Sequence, residues 1–228
     1  MISQKYESEA HGIIRRGGYM VCTSATPITK DTIVYSFGVG DNVQFDLSLI
    51  EKYGVSVFAF DPTPLSIKWV KKQSLPKSFR FFPMGIYDID STIKFYPPAR
   101  RNFTSYSFAE RDYIKGKLEV VELPVKRLVN IMGMLKHDTI DILKMDIEGA
   151  EYAVLDDMIR CGIRPSQILL EFHTKRSLLS EAERRTRYSI NGFCKKLKRY
   201  GYEIFWHSPT KRDWGFVRKE TNDVNYQS

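Results

Sequence analysis

The sequence predicts an α/β fold in which helices cover both faces of a mostly parallel sheet, with an antiparallel hairpin at the C-terminal end. From residue 32 onward, apolar segments of strand length alternate with segments whose apolar residues recur at helical spacing, which is the pattern of a parallel sheet. The first of the strand-like segments, 32–37, is rich in β-branched and aromatic residues and indicates a buried strand. The last two are joined by residues 207–213 only. That link is too short for a helical crossover, so these two strands must pair antiparallel.

The expected elements follow one another in a regular order, interrupted once. The N-terminal half contains three strands and two helices, and Asp41 or Asn42 can cap the first of these helices. After the interruption, the chain continues with a strand and a helix, a fourth core strand, another helix, a fifth core strand, a basic helix and the final hairpin. The expected strands are 32–37, 56–60, 80–84, 117–123, 141–145, 167–172, 202–206 and 214–218, and the expected helices are 43–54, 64–72, 128–135, 150–160 and 181–200.

The interruption lies inside the single domain that we expect. We expect residues 1–30 to be an N-terminal extension, residues 31–220 to form one domain, and residues 221–228 to be a tail. Within the domain, residues 87–117 break the rhythm with paired prolines, paired arginines and aromatic residues. A long connection inside a compact domain is usually functional, so we expect this insertion to act as a lid.

Composition excludes several classes of protein. The chain has 228 residues, 43% of them hydrophobic and 27% charged, which is typical of a globular domain with a sizeable core. Its apolar runs are far shorter than the ~20 residues of a membrane span. The three cysteines include no CxxC pair, which argues against a disulfide scaffold and a zinc site and is typical of the cytoplasm. No cluster of His, Asp and Glu has metal-ligand spacing, so we expect no metal.

Positive charge is concentrated near the C-terminus. The formal net charge is +8, and residues 175–219 contain 13 Lys and Arg against four acids. Two interpretations remain open. The segment is either a solvated helix face or a surface that attracts an anionic partner such as nucleic acid.

A glycine loop joins the first strand to the first helix. Gly38 and Gly40 lie in the segment from Phe37 to Asn42, where glycines let the backbone bend and let a ligand approach. Asp61 ends the next strand, 21 residues after Gly40, and an acid at that place can bind both hydroxyls of a ribose. The spacing therefore favours a nucleoside-type cofactor, and the alternative is a structural turn with a helix-capping acid.

The residues around the loop narrow the choice of cofactor. The dinucleotide fingerprint needs a third glycine where this chain has Val43. The acidic Asp41 beside the loop would repel phosphates and suits a cationic ligand. S-adenosylmethionine carries a sulfonium and an ammonium and no phosphate, so it is the expected cofactor. A terminal antiparallel hairpin is also characteristic of the methyltransferase version of this sheet.

A second acidic motif, DILKMDIEGAE, spans residues 141–151. It delivers Asp146 and Glu148 to the C-terminal end of a buried strand, where open α/β sheets bind ligands. Gly149 allows the sharp turn into the next helix, and Lys144 could pair with a carboxylate in the interior. The alternative is that Asp146 and Glu148 only cap the helix.

With these motifs, the chain resembles the FkbM family of S-adenosylmethionine-dependent methyltransferases, over residues 30–220. The matching pieces are the loop at 37–42, VFAFDPTP at 57–64, DILKMDIEGAE at 141–151 and ILLEFH at 168–173. The resemblance implies a Rossmann-like class I methyltransferase fold. It also implies methylation of hydroxyl groups on sugars, glycolipids or polyketides.

The resemblance also implies roles for individual residues. It assigns the methionine end of the cofactor to the loop, the ribose to Asp61 and the adenine to the segment after the third strand. It assigns Asp146 to the cofactor's amino group and reacting methyl, and Glu171 to the substrate side. The expected cofactor-binding residues are Phe37, Gly38, Gly40, Asp41, Asp61, Pro62, Gly85, Ile86 and Asp146. One departure is the segment Pro124–Arg127, which lacks an acid that many members have and so leaves substrate specificity open.

The expected catalytic residues are Asp146, Glu148 and His173. A hydroxyl must lose its proton as it attacks the methyl group, and an imidazole at the crevice could accept that proton as a general base. The alternative is that a backbone carbonyl satisfies His173.

The sequence therefore predicts an O-methyltransferase with a small-molecule or glycan acceptor that the sequence does not name. One rival is a nucleic-acid methyltransferase that uses the basic C-terminal segment, although it would lack an NPPY-type motif. The other is a non-catalytic protein that keeps the cofactor pocket. No feature of the sequence indicates an oligomeric state.

Overall fold

The computed structural model describes residues 5–12, 18–96, 120–173 and 190–219. These residues form a large central sheet, two small sheets and the helices that pack against them. In chain order, the elements are β1 (Ser8–His11), β2 (Tyr19–Cys22), β3 (Ile33–Phe37), α1 (Gln44–Tyr53), β4 (Ser56–Phe60), α2 (Pro64–Val70), β5 (Phe79–Phe82), β6 (Gly85–Ile86), β7 (Ser91–Phe95), β8 (Val121–Lys126), α3 (Leu128–Leu135), β9 (Ile142–Met145), α4 (Glu151–Arg160), β10 (Gln167–Glu171), α5 (Ile190–Arg199), β11 (Tyr202–His207) and β12 (Asp213–Arg218).

The central sheet has seven strands in the order β11-β12-β10-β9-β3-β4-β5. Strands β3, β4, β5, β9 and β10 are mutually parallel. Strand β12 is antiparallel to both of its neighbours, β10 and β11, so the terminal hairpin contributes one reversed strand. The predicted α/β class, the mostly parallel sheet and the C-terminal hairpin are confirmed.

Side chains alternate between the two faces of this sheet and bury a separate apolar cluster on each. In β3, Tyr35 and Phe37 point to the face covered by α3, α4 and α5, whereas Val34 points to the face covered by α1 and β2. The same alternation in β9 directs Leu143 to the first face and Ile142 to the second. This burial on both faces explains the apolar strands of the sequence.

The N-terminal residues form an antiparallel hairpin of β1 and β2. All four residues of β2 are buried, so no alternation of polar and apolar residues marked this strand in the sequence. The side-chain amide of Gln167 fixes β2 to the central sheet, accepting from the Cys22 N–H at 2.8 Å and donating to the Cys22 carbonyl at 2.7 Å. Strand β2 is therefore part of the hydrophobic core.

A separate three-stranded sheet has the order β6-β8-β7, and its strands follow β5 in the chain. Its central strand starts at Val121, four residues later than the start expected from the sequence. Leu123 and Val125 are buried in it while Glu122 and Pro124 are exposed, which is the alternation of a half-buried strand. Of the expected lid at 87–117, only the part up to Tyr96 lies within the described residues.

Several other sequence expectations extend beyond the described residues. The expected basic helix at 181–200 is seen as α5, and the earlier part of the basic segment lies outside the description. Residues 1–4 and 13–17 of the expected extension and the tail at 221–228 lie outside it as well. Among the described helices, none has the length and apolar character needed to cross a bilayer.

Candidate active site

The predicted site residues meet at one edge of the central sheet. The chain runs outward from β3 to β5 and returns to β9 on the other side of β3, so the strand order reverses between β3 and β9. Open α/β sheets bind ligands at the C-terminal strand ends beside such a switch point. Gly38 follows β3, Asp61 follows β4, Asp146 follows β9, and His173 lies two residues after β10.

The glycine loop is pressed against the end of β9. Gly38 has φ +84° and Gly40 has φ +58°, a region that side chains rarely adopt. A Cβ atom on Gly38 would lie 1.8 Å from the carbonyl oxygen of Asp146. Only glycine fits at this position, both for its dihedral angle and for the space available.

Asp61 holds the glycine loop from the side of β4. Its Oδ2 accepts hydrogen bonds from the Val39 and Gly40 amides at 3.0 and 2.9 Å, and its Oδ1 accepts from the Thr63 amide and hydroxyl at 2.9 and 2.6 Å. A carboxylate has about four lone-pair positions, so the protein itself fills those of Asp61. In this structure Asp61 shapes the loop, and a ribose would have to exchange with the loop amides to bind it.

Lys144 holds the loop from the interior. Its buried Nζ donates to the carbonyl oxygens of Gly38 at 2.6 Å and Phe37 at 3.3 Å. The sequence suggested a carboxylate partner, but the hydrogen-bond acceptors are these two carbonyls. The buried carboxyl of Asp46 interacts with Lys144 only through its charge, and burial raises the pKa of Asp46 to about 6 against that attraction.

The turn between β9 and α4 is organised by Glu151, which the sequence analysis did not single out. Glu148 and Gly149 both have positive φ, +52° and +111°. The fully buried Glu151 carboxylate accepts hydrogen bonds from the Ile147 and Gly149 amides at 3.1 and 3.0 Å. The residue before α4 is Ala150, which has no capping side chain, so Glu151 binds the amides of the turn from inside the helix.

His173 lies among four carboxyl groups and is 7% exposed. Its Nδ1 lies 2.8 Å from Oε1 of Glu151, a hydrogen bond in which the imidazole is the donor. Its Nε2 points the other way, at 3.6 Å from Oε2 of Glu148, 3.7 Å from Oε1 of Glu171 and 3.8 Å from Oδ1 of Asp146. The partner of Nδ1 is therefore a carboxylate and not a backbone carbonyl.

The carboxyl groups determine the protonation of this cluster. Burial alone lowers the pKa of His173, but Glu151, Glu148 and Asp146 outweigh it and raise that pKa to about 10. Burial and the charge of Asp146 raise the pKa of Glu171 to about 7, against the attraction of His173 and Arg212. With these neighbours, His173 keeps its proton at neutral pH. The geometry thus favours a positively charged group among carboxylates over the general base expected from the sequence.

The other expected cofactor-binding residues are Phe37, Asp41, Pro62, Gly85 and Ile86. The rings of Phe37 and Phe60 stack in the core with centroids 4.5 Å apart, and Ile86 is buried in the same core. Gly85 lies in β6 of the three-stranded sheet, where an added Cβ atom would lie 3.1 Å from Cγ of Pro62. Asp41 is exposed in the glycine loop.

Sequence reasoning missed two contacts of the site. Glu151 was visible as the last letter of the 141–151 motif, but its contact with His173 joins residues 22 positions apart and needs the fold. Arg212, which donates to Glu171, lies in the turn between β11 and β12 and has no local sequence signal. Its place follows from the pairing of β10 with β12, in which Glu171 lies opposite Asp213.

Comparisons with known proteins agree with this architecture. Residues 32–204 match the family model of the methyltransferase FkbM domain. The fold is similar to the crystal structure of a methyltransferase FkbM from Methylobacillus flagellatus KT, with a TM-score of 0.52 and 12% sequence identity. That match covers 86% of this chain but 46% of the bacterial chain, so this chain spans less than half of its relative. No curated protein is significantly similar in sequence.

Proposed function

This chain belongs to the FkbM methyltransferase family, and on that premise we propose that it transfers a methyl group from S-adenosylmethionine to a hydroxyl group of an acceptor. The observation that supports this proposal most directly is the contact between the glycine loop and the end of β9, where Asp146 follows the strand. Gly38 abuts the backbone carbonyl of Asp146, so the glycine loop and the residue that carries this carboxylate are adjacent.

The chemistry of this edge fits S-adenosylmethionine. Asp146 and Glu148 are 27% and 22% exposed in their side chains and can therefore meet a ligand. Carboxylates attract an ammonium and a sulfonium and repel the pyrophosphate of a dinucleotide. Asp41, which follows Gly40 in the loop and is exposed, adds a further acid. The donor set is thus suited to a cationic nucleoside.

The residues of the chain would act mainly by positioning. S-adenosylmethionine would supply a methyl group bonded to a positively charged sulfur. Asp146 would stabilise that positive end, while Lys144 and Asp61 keep the glycine loop in the conformation that receives it. Aligning an acceptor oxygen with the methyl carbon at ~3 Å removes much of the entropic part of the barrier.

The acceptor we propose is a hydroxyl group of a sugar, glycolipid or polyketide-type molecule. A row of carboxylates offers hydrogen-bond acceptors to hydroxyl donors, and Asp146, Glu148 and Glu171 form such a row beside the loop. The same row is unfavourable for a phosphodiester, which would meet like charges.

The basic residues at the end of α5 do not favour nucleic acid at this site. Lys198 and Arg199 end α5 just before Tyr202, the first residue of β11. Tyr202 pairs with Arg218 at the far end of β12, whereas Asp213 at the near end pairs with Glu171. These two basic residues therefore lie at the sheet edge opposite the candidate site. We also propose a cytoplasmic location, which the free thiols of Cys22, Cys161 and Cys194 support.

Calorimetry with S-adenosylmethionine and S-adenosylhomocysteine tests the first part of the proposal. We expect the purified chain to bind both, and the variant Asp146→Asn to bind S-adenosylmethionine more weakly. As a control, Asp156→Asn removes a carboxylate that pairs with Lys196 on the surface, and it should bind normally. Binding of NAD in place of both ligands would contradict the assignment.

A transfer assay tests the second part. Radiolabelled S-adenosylmethionine incubated with sugars, glycolipids, polyketides and RNA should label an acceptor that carries free hydroxyl groups. Labelling of RNA alone would favour the nucleic-acid alternative. Normal binding without transfer to any acceptor would favour a non-catalytic protein.

A further inference from the structure

The Nε2 atom of His173 points into a gap between three carboxylates. Its distances to single oxygens of Glu148, Glu171 and Asp146 are 3.6, 3.7 and 3.8 Å. All three exceed the length of a hydrogen bond. Ligand atoms around one octahedral divalent ion at ~2.1 Å lie about 3 to 4 Å apart, so the spacing matches an ion at the centre better than direct contacts across it.

Three of these groups lie close enough together to be candidate ligands of one metal ion. One ligand atom each from Asp146, Glu171 and His173 lies within 4.8 Å of the other two. The histidine distinguishes this site from a simple acidic cluster, because its ring is more than nine-tenths buried and presents Nε2 to the carboxylates. Sequence spacing could not reveal the group, since Asp146 and His173 end different strands.

A carboxylate behind the histidine fixes the ring in the orientation that a metal needs. Glu151 accepts a hydrogen bond from Nδ1 at 2.8 Å and is itself held by the Ile147 and Gly149 amides. A histidine that binds a metal through one nitrogen almost always donates its other N–H to a carboxylate, a carbonyl or water. A metal-binding imidazole must be neutral, so an ion entering the gap would displace the Nε2 proton to water and bind the lone pair that this leaves.

We propose that Asp146, Glu171 and His173 bind a divalent cation of the Mg²⁺ and Mn²⁺ class, and that this cation holds the hydroxyl oxygen of the acceptor, an inference that rests on the function proposed above. A donor set with two carboxylates suits these hard cations. Asp146 and Glu148 are partly exposed, which leaves the open side of the site for the acceptor and water.

The cation would contribute to the reaction by polarising the acceptor. A bound divalent ion lowers the pKa of a coordinated O–H group, so the hydroxyl proton leaves to water at the open side. The acceptor oxygen then uses a lone pair to form the bond to the methyl carbon as the carbon–sulfur bond breaks. The sulfur keeps that electron pair and becomes a neutral thioether. No histidine base is needed for this step.

Binding of Mn²⁺ to the whole chain, without cofactor or acceptor, tests the site. The paramagnetic resonance signal of free Mn²⁺ should report one bound ion per chain, and Mg²⁺ should displace it. Asp146→Asn and His173→Ala should each weaken binding at least ~10-fold, and Glu151→Gln by ~10–100-fold. The matched control Asp156→Asn, which removes one carboxylate on the outer side of α4, should bind as the wild type does.

The outcomes separate this site from the proposed function. Absence of stoichiometric Mn²⁺ binding, or equal binding by His173→Ala and wild type, would overturn the metal site. If His173→Ala does not fold, Glu171→Gln gives the same test. S-adenosylhomocysteine binding by a chain that binds no Mn²⁺ would leave the proposed function intact. Mn²⁺ binding without any S-adenosylhomocysteine binding would overturn the proposed function alone.

Discussion

Gly38 and the backbone of Asp146 are in such close contact that the two main motifs of the sequence form one structural unit. The Asp146 amide donates to the Phe37 carbonyl at 3.0 Å, and the Asp146 carbonyl occupies the space that a side chain on Gly38 would need. The loop after β3 and the acid after β9 are thus fixed relative to each other without any ligand. This preorganisation is what a positioning site requires.

Replacing Gly38 by alanine should therefore destabilise the fold. A left-handed residue other than glycine costs ~1–2 kcal/mol, and displacing backbone in a packed interior costs a further ~1–3 kcal/mol. We expect Gly38→Ala to lower the free energy of unfolding by ~2–5 kcal/mol, measured by urea denaturation.

Two other glycines separate these contributions. Gly162 also has positive φ, +71°, but no atom lies within 4 Å of a Cβ added there, so Gly162→Ala measures the cost of the dihedral angle. Gly133 lies inside α3 with open space around it, and Gly133→Ala should stabilise the protein by ~0.5–1 kcal/mol. A loss for Gly38→Ala no larger than that for Gly162→Ala would contradict the close contact.

Asp61 should affect stability as well as ligand binding. Asp61→Ala leaves the Val39, Gly40 and Thr63 amides without their acceptor, and each buried unpaired donor costs ~1–3 kcal/mol. We expect the free energy of unfolding to fall by ~3 kcal/mol or more, and calorimetry to show weaker S-adenosylhomocysteine binding.

The exposed acid of the same loop provides the control for Asp61. Asp41→Ala should change the free energy of unfolding by less than ~0.5 kcal/mol. Equal stability of Asp61→Ala and Asp41→Ala would mean that Asp61 does not hold the loop. Weaker ligand binding by Asp61→Ala at unchanged stability would instead support a direct contact with the ribose.

The sequence predicted the central sheet because its strands carry a local signal. Apolar runs such as 56–60 and 167–172 reflect burial on both faces, and the short link 207–213 required an antiparallel pair. The small sheet of β6, β7 and β8 was not predicted, because β6 has only two residues and gains its partners from residues about 40 positions later. Local periodicity contains no information about such pairings.

The same limit applied to the candidate site. The positions of Gly38, Asp61 and Asp146 at strand ends followed from motif spacing. The protonation of His173 did not, because it depends on carboxylates contributed by the β9–α4 turn and by β10. A histidine at a strand end is typical of a general base, but its charge is decided by neighbours that only the fold brings together.

Asp46 should make stability depend on pH. Its folded-state pKa of about 6 lies above the ordinary value of 3.8, chiefly because of burial. The folded state therefore binds this proton more tightly than the unfolded state, and the wild type loses stability as pH rises from about 4 to 6. Asp46→Asn cannot bind or release this proton. Its free energy of unfolding relative to that of the wild type should therefore rise across this range, by ~3 kcal/mol at most.

Chemical denaturation at several pH values between 4 and 8 measures this difference. Glu51→Gln replaces an exposed acid on the same helix α1 and should show no such trend. A constant difference between Asp46→Asn and wild type across the range would show that folding does not raise the pKa of Asp46.

The pair formed by Glu151 and His173 should be energetically coupled. The two groups are 0% and 6% exposed in their side chains and share a 2.8 Å hydrogen bond, and the raised pKa of His173 gives that bond two charges at pH 7. Removing one member of a buried pair leaves the other group unpaired, so each single variant pays a cost that the double variant avoids. We expect a double-mutant cycle of Glu151→Ala and His173→Ala, measured by urea denaturation at pH 7 with a chelator present, to give a coupling energy of ~1–3 kcal/mol.

The exposed pair of Asp156 and Lys196 provides the matched control, with an expected coupling below ~1 kcal/mol because water screens both charges. A coupling energy between Glu151 and His173 that does not exceed this control would mean that the carboxylate does not hold the ring, and the orientation of Nε2 towards Asp146 would then need another cause.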